Sequence, residues 1–332
     1  MKKPRPASNT QILLKMKTLL FSLLIPVLTH SAFAQGFQAD SILLKKGESK
    51  PIRAWILLTT KNEIRYKTTE VATDFVDAKI SDFSTIYVQE PNAFAATLDL
   101  YEARNFQEAK AKFIEIKEKF KPIATLPNNF HTMAAFYEME CMRNLGEYDK
   151  LAEALKSFNK EPLIQEQHLR QLELYVMWDA VSAGAWDRVL SIASERDEES
   201  LPGFQRVQVA YCKGLALEQS NQLADALIQY SIAMTADSGA SQVIAQQAAL
   251  KALGVYLKDP MVQDAMKKWG KEDEVKNSSS YNRLIAAGSL AQFYQKYLSL
   301  GEALPTDLNK LLQYKEEKPE VSKETEETKK PK

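Results

Sequence analysis

The chain has 332 residues, 45% of them hydrophobic, and its 43 Lys plus Arg balance 43 Asp plus Glu. With no net field, electrostatics gives no reason to expect nucleic acid, an anionic membrane surface or an acidic substrate as partner. Gly is scarce, at 11 residues, which argues against a glycine-rich phosphate-cradling fold and for long helices.

Residues 1–34 read as a secretory signal peptide. Lys2, Lys3, Arg5, Lys15 and Lys17 precede the apolar run at 19–28 (LLFSLLIPVL), and Ala32 and Ala34 offer the small residues a signal peptidase accepts before Gln35. An apolar core this short does not make a membrane anchor. Met16 opens a complete signal by itself, so residues 1–15 are dispensable to this reading. The expectation is a periplasmic or secreted protein with no integral membrane segment once the signal is removed.

Residues 37–90 change character. Short runs rich in β-branched and aromatic residues, at 41–45, 52–60 (IRAWILLTT), 63–68 (EIRYKT), 71–80 and 85–88 (TIYV), alternate with turn signals and predict about five strands of a small antiparallel sheet or barrel. Their order resembles the small SH3-like or Sm-like barrels that precede repeat regions in some bacterial envelope proteins. Trp55 stands in the second strand where such barrels usually bend on a glycine. Some fifty residues bury little surface alone, so the module is expected to lean on the first helical hairpin through a face bearing Phe94, Leu98 and Phe113.

Helical periodicity begins after Pro91 and continues to residue 314. Four stretches each give two helical faces separated by a polar break: 94–120, 130–158, 163–195 and 202–236. The turn residues Phe106, Tyr148, Trp186 and Leu223 fall 42, 38 and 37 residues apart. Residues 121–129 (KPIATLPNN) carry two prolines and predict a loop. A fifth hairpin follows, in which Asp259 caps a helix opened by Pro260, and a last long helix runs over 281–300. A short helix from Thr306 to Tyr314 covers the final apolar face. Residues 315–332 hold twelve charged side chains and one aliphatic, Val321, and are expected to be disordered.

The clearest hairpin carries Gly214 in its first helix and Ala226-x3-Tyr230 in its second, and the first carries Ala109-x3-Phe113 before Pro122. These positions resemble the tetratricopeptide (TPR) repeat, with longer periods than the ~34 residues of its usual form. The resemblance implies a mostly α fold, a TPR-like α-solenoid of helical hairpins preceded by the small β module. It also implies a concave surface lined by first helices, with candidate contacts at Glu102, Phe136, Glu140, Arg143, Gln171, Trp178, Tyr211 and Glu218. That mix of aromatic, amide and charged groups suits an extended protein or peptide ligand.

Catalytic and cofactor signatures are absent from the sequence. His30 lies in the signal, and His131 and His168 stand alone near helix starts without ligand partners at metal spacing. Glu138 and Glu140, two apart on a helix, point to different faces. Cys141 and Cys212 fall two hairpins apart, too far for a disulfide, and are expected as buried free thiols. Asn277-Ser278-Ser279 matches a glycosylation sequon of little weight in an exported protein of bacterial style. The function expected from these features is a non-enzymatic protein-binding scaffold of the cell envelope, without cofactor or metal. A cell-wall glycan or peptide binding module and a purely architectural spacer are its competitors.

Overall fold

The computed structural model describes residues 36–197, 201–237, 239, 241–271 and 278–315. The expected signal peptide at residues 1–34, Asn277 of the sequon and the charged tail beyond Lys315 lie outside the described residues.

Alternation builds the sheet. β1 (Ala39–Lys45) buries Ala39, Ser41 and Leu43 and turns Asp40, Ile42 and Leu44 to the other face, the period of two of a pleated strand. It pairs antiparallel with β2 (Ile52–Thr59) and with β5 (Phe83–Val88). β3 (Glu63–Lys67) and β4 (Val76–Lys79) complete an antiparallel sheet of order β4-β3-β2-β1-β5, with a 3-10 turn at Ile80–Asp82 joining the two terminal strands. Five strands are present, as the runs predict, although the run at 71–80 contributes strand at its end alone. The bend that β2 lacks a glycine for comes from a bulge: Ile56 faces Tyr66 and Leu58 faces Arg65, leaving Leu57 as the extra residue. The bulge resets the pleat, so Leu58 is exposed and Thr59 is buried.

Thr59, turned inward in this way, joins the sheet to the helices. Its Oγ1 lies 2.7 Å from Thr125 Oγ1, Thr125 Oγ1 donates to the Thr60 carbonyl at 3.0 Å, and the Phe37 ring meets Phe120 edge-on at 5.4 Å. Leu43, Ile56, Ile64 and Phe83 enter the same core as Phe113, Phe120, Ile123 and Leu126. The sheet therefore docks on the first hairpin, but by a different surface from the one expected. Its seat is the end of α2 (Phe106–Phe120) and the segment at 121–129, whereas Phe94 packs its ring on Phe113, Phe130 and Tyr137. That segment is more ordered than a plain loop. It holds a 3-10 turn at Lys121–Ile123, and the fully buried Asn129 donates to the carbonyls of Ala124 and Leu126 while its Oδ1 accepts from Thr132 N–H at 2.8 Å. Asn129 thereby caps α3 (Phe130–Asn144).

Four helix pairs follow one another: α1 (Asn92–Glu102) with α2, α3 with α4 (Tyr148–Ser157), α5 (Glu166–Ser182) with α6 (Trp186–Asp197), and α7 (Gly203–Gln219) with α8 (Leu223–Thr235). Each pair is joined by a turn of three residues, and the four turns share one construction. The middle residue is left-handed in all of them: Arg104 (φ 66°), Gly146 (70°), Gly184 (65°) and Asn221 (58°). The next N–H returns to the carbonyl five residues back at 2.9 Å in every case, Asn105 to Leu100, Glu147 to Met142, Ala185 to Ala180 and Gln222 to Leu217. This is the Schellman arrangement, which satisfies carbonyls that the helix end leaves open. Glycine and asparagine take that conformation readily, whereas Arg104 carries a cost of about 1–2 kcal/mol. Three and seven residues after the first residue of the second helix, Ala109 with Phe113, Val189 with Ala193 and Ala226 with Tyr230 are fully buried. In the second pair Leu151 is buried at the first of these positions and Leu155 is half-buried at the second.

The fifth pair, α9 (Gln242–Lys258) and α10 (Pro260–Lys268), turns differently. Asp259 accepts from Met261 N–H at 2.8 Å with Pro260 in the first turn, as the sequence predicts. α11 (Ser279–Phe293) ends in a π-helical segment at Tyr294–Leu298, and a short α12 (Thr306–Asn309) runs into a 3-10 turn at Lys310–Gln313. Successive helices pack on each other from α1 to α11, and α5, α7 and α9 also pack in series. A first core runs from the sheet to Ile244, Ala248 and Val255 of α9, and a second joins the opposite side of α9 (Ala245, Ala249, Leu253) to α10, α11 and the C-terminal turns. Among the described residues, no helix is long and apolar enough to cross a membrane.

Candidate functional site

The eight sequence-selected residues lie on α1, α3, α5 and α7, and burial separates them sharply. Glu102 is exposed at the end of α1, while Phe136, Gln171, Trp178 and Tyr211 retain at most 4% of their accessible surface. The expectation that these four present a binding face is therefore corrected. They are inter-helix core, because the neighbouring first helices and their turns close over them.

Glu140 and Arg143 form the electrostatic centre of this interior. The pair sits one helical turn apart on α3 with side chains 9% exposed each, and the guanidinium clasps the carboxylate through Nε at 3.1 Å and Nη2 at 2.7 Å. Tyr101 of α1 donates its hydroxyl to Glu140 Oε2 at 3.0 Å, and Tyr175 of α5 donates to Oε1. Burial would raise the Glu140 carboxyl, but the Arg143 charge and hydrogen bonds and the two tyrosine hydroxyls together hold it below its ordinary value. Burial pushes both tyrosine hydroxyls upward, so they remain donors. The buried Cys141 thiol next to the pair is pushed up to about 12, chiefly by burial, and Cys212 is also raised. Both cysteines are free and buried.

A second polar set lies further along the stack. The buried amides of Gln171 and Gln208 bond each other reciprocally at 3.0 and 3.1 Å, and Trp178 Nε1 donates to Gln208 Oε1 at 2.9 Å. The Trp178 indole stacks on Tyr148 with ring centres 4.6 Å apart, and Tyr211 lies 6.0 Å beyond. Glu218, only 8% exposed, accepts from Tyr230 at 2.8 Å and from Lys258 of α9 at 2.6 Å. Phe136 packs on His168 at 4.4 Å. His131 pairs Nδ1 with the Lys117 carbonyl at 2.7 Å. Among the described residues, no three His, Cys, Asp or Glu side chains cluster so as to hold a metal ion.

Helix α9 brings in the groups that sequence reasoning missed. Tyr148 donates its hydroxyl to Gln247 Oε1 at 3.1 Å, and the Arg104 guanidinium donates to Gln242 Oε1 and, at 2.8 Å, to the Gly239 carbonyl. The first and second turns thus touch the fifth hairpin across 138 and 99 residues of chain. Glu102 and Arg143 line a cavity of about 230 Å³ at this junction, together with Tyr101, Arg104, Asn144 and Gln242. An arginine at the turn position that elsewhere holds glycine or asparagine is the one sequence signal that marks this contact in advance. Gln208, polar between Val207 and Val209 on a helix, is the corresponding signal for the amide pair.

No protein-family model, curated protein or solved structure matches this chain.

Two buried groups fix an expected pH response. Burial lowers the His168 pKa against the weaker opposing pull of Glu140, so the folded chain favours the neutral ring while the unfolded chain takes up a proton near 6.5. Its contribution is whole above that value and is lost as pH falls through the folded pKa. Glu140, lowered from 4.5, contributes fully above 4.5 and loses that contribution as pH falls further. Urea midpoints are expected to decline in two steps on acidification, and His168→Gln to remove the upper step while leaving the lower.

Proposed function

We propose that this chain is an exported, non-enzymatic scaffold of the TPR type that holds a protein partner in the cell envelope, with an SH3-like or Sm-like module seated on its first hairpin. The observation that carries the reading is the shared construction of the four turns, left-handed at residues 104, 146, 184 and 221. One supersecondary unit reiterated along the chain, each copy packing on its neighbours, is the logic of repeat scaffolds that bind proteins. The basic n-region, apolar core and Ala32-Phe33-Ala34 support export to the periplasm or beyond.

In the closed arrangement the surface open to a partner lies outside this interior. A cavity of about 690 Å³ between α2, α3 and α4, lined by Ala135 and Phe158 and by Lys117, Lys121 and Lys150, offers apolar side chains beside charged ones. Stacking of sugar rings on the inner aromatics has no room in this arrangement, since Trp178 is 1% exposed with Tyr148 against it.

Affinity capture with the mature chain from envelope extract after mild cross-linking is the test. Enrichment of a protein at a fixed ratio is expected, together with an unchanged tryptophan spectrum on titration with muropeptides. Specific recovery of glycan fragments or small metabolites alone would overturn the scaffold reading.

A further inference from the structure

The contact between the first turn and α9 has an unusual make-up. α9 is held on two sides by apolar packing, with Ile244, Ala248, Ala252 and Val255 in the first core and Ala245, Ala249 and Leu253 in the second. Toward the first two hairpins its hydrogen bonds run from Arg104 and Tyr148 to the side chains of Gln242 and Gln247 and to the Gly239 carbonyl. Arg104 donates to neutral acceptors, and among the described residues no carboxylate lies within ion-pair reach of it. Open space flanks the bridge on both sides. Arg104, Gly239 and Gln242 line the 230 Å³ cavity and also a second, of about 490 Å³, walled by Met234, Phe293 and Tyr297.

Three equivalent turns fill the left-handed position with Gly146, Gly184 and Asn221, residues that accept that backbone. Arginine relieves nothing there. Its reach across to α9 is what it supplies in return. Polar, cavity-flanked contacts between well-packed bodies have the character of transient interfaces and open at lower free energy than the cores they join.

We infer that the Arg104 and Tyr148 bridges to α9 form a reversible latch that keeps the inner faces of the first helices covered. Release of the two bridges lets the fifth hairpin, with the C-terminal elements packed on it, move away from the first two. That movement uncovers the groups behind the junction: Tyr101 and Arg143, which line the smaller cavity, then Glu140 and the Tyr148–Trp178 stack. α9 in the closed state is then an internal competitor for any partner of those faces. The purpose given to opening rests on the scaffold reading, whereas the opening itself does not.

Arg104→Gly tests the latch cleanly, because glycine accepts the left-handed backbone and preserves the turn while the bridge is lost. Arg104→Asn, which copies Asn221, serves if the glycine variant does not fold, and Tyr148→Phe removes the second bond. Hydrogen exchange in the full chain is the readout. In Arg104→Gly/Tyr148→Phe, exchange at the end of α3 and the first turns of α9 is expected to accelerate by roughly tenfold or more, with α7 and α8 unchanged and an increased radius of gyration in solution scattering. Unchanged exchange at both elements would overturn the latch. So would uniform acceleration over all helices with a lowered melting midpoint, which would make the bridge part of the global fold. If exchange shows opening while envelope capture recovers no protein with either the native or the opened chain, the latch stands and the scaffold reading fails.

Discussion

Arg143→Met is expected to cost about 3–5 kcal/mol in urea unfolding, because it strands a buried carboxylate. Glu140 is a buried carboxylate. Its two oxygens accept from Arg143 twice and from Tyr101 and Tyr175, and with the guanidinium gone the tyrosine hydroxyls alone must hold a full negative charge at 9% side-chain exposure. The folded variant answers by taking up a proton, so its Glu140 carboxyl moves from below its ordinary value to above it. Stability of Arg143→Met should consequently fall as pH rises from 4.5 through the raised folded pKa, a range over which the native Glu140 contribution is constant. Removing both charges tests the same physics from the other side. Glu140→Leu/Arg143→Met loses the pair without leaving an orphan charge and is expected to be more stable than Arg143→Met alone, since desolvation of the two ions offsets much of their attraction. A single variant within about 1 kcal/mol of the native chain would show that water reaches the pair.

Gly288→Ala is the second change with a large expected effect. A Cβ built on Gly288 of α11 would stand 1.6 Å from the Tyr314 carbonyl oxygen and 2.7 Å from its carbon, and both are backbone atoms. A side chain could rotate away, but backbone has to translate. The displaced segment carries Leu308, Leu311 and Tyr314, all buried, with Tyr314 edge-on to Trp269 at 5.1 Å. Lifting that segment re-exposes apolar surface worth about 1.5–3 kcal/mol for each such side chain. The expected result is detachment of residues 306–314 with loss of about 3 kcal/mol or more from the second core, seen as fast hydrogen exchange in those residues and a lower melting midpoint. Gly214 offers a milder comparison, because the atoms its added Cβ would meet belong to the Tyr230 ring, the nearest at 2.6 Å.

Helix and strand placement was legible in the sequence because it depends on local pattern. Alternation fixes the inward residues of β1, and the recurrence of Phe106, Tyr148, Trp186 and Leu223 marks the turns to the residue. The joint between sheet and helices was legible in kind and misplaced in detail. Its docking surface depends on the bulge at Leu57, which puts Thr59 inward, and on the compact turn that the proline-bearing segment at 121–129 makes once Asn129 is buried. Neither leaves a periodic trace. The burial of Phe136, Gln171, Trp178 and Tyr211 was not legible for a related reason. A helical face containing Phe136, Glu140 and Arg143 reads the same whether it meets a ligand or another part of the chain, and what covers it is set by contacts between elements distant in the sequence. Long-range closure of that kind is announced by single residues such as Arg104, Gln242 and Gln247 that carry no repeat of their own.

Most helix packing here joins elements adjacent in the chain, and such contacts close short loops. The bonds from Arg104 to Gln242 and from Tyr148 to Gln247 close loops of 138 and 99 residues, and the entropy of such closures defers them until the intervening hairpins exist. Interactions absent from the folding transition state leave the rate of folding untouched and appear in the rate of unfolding instead. Loss of the left-handed arginine at the first turn is therefore expected to speed opening of this junction and to leave the folding rate unchanged.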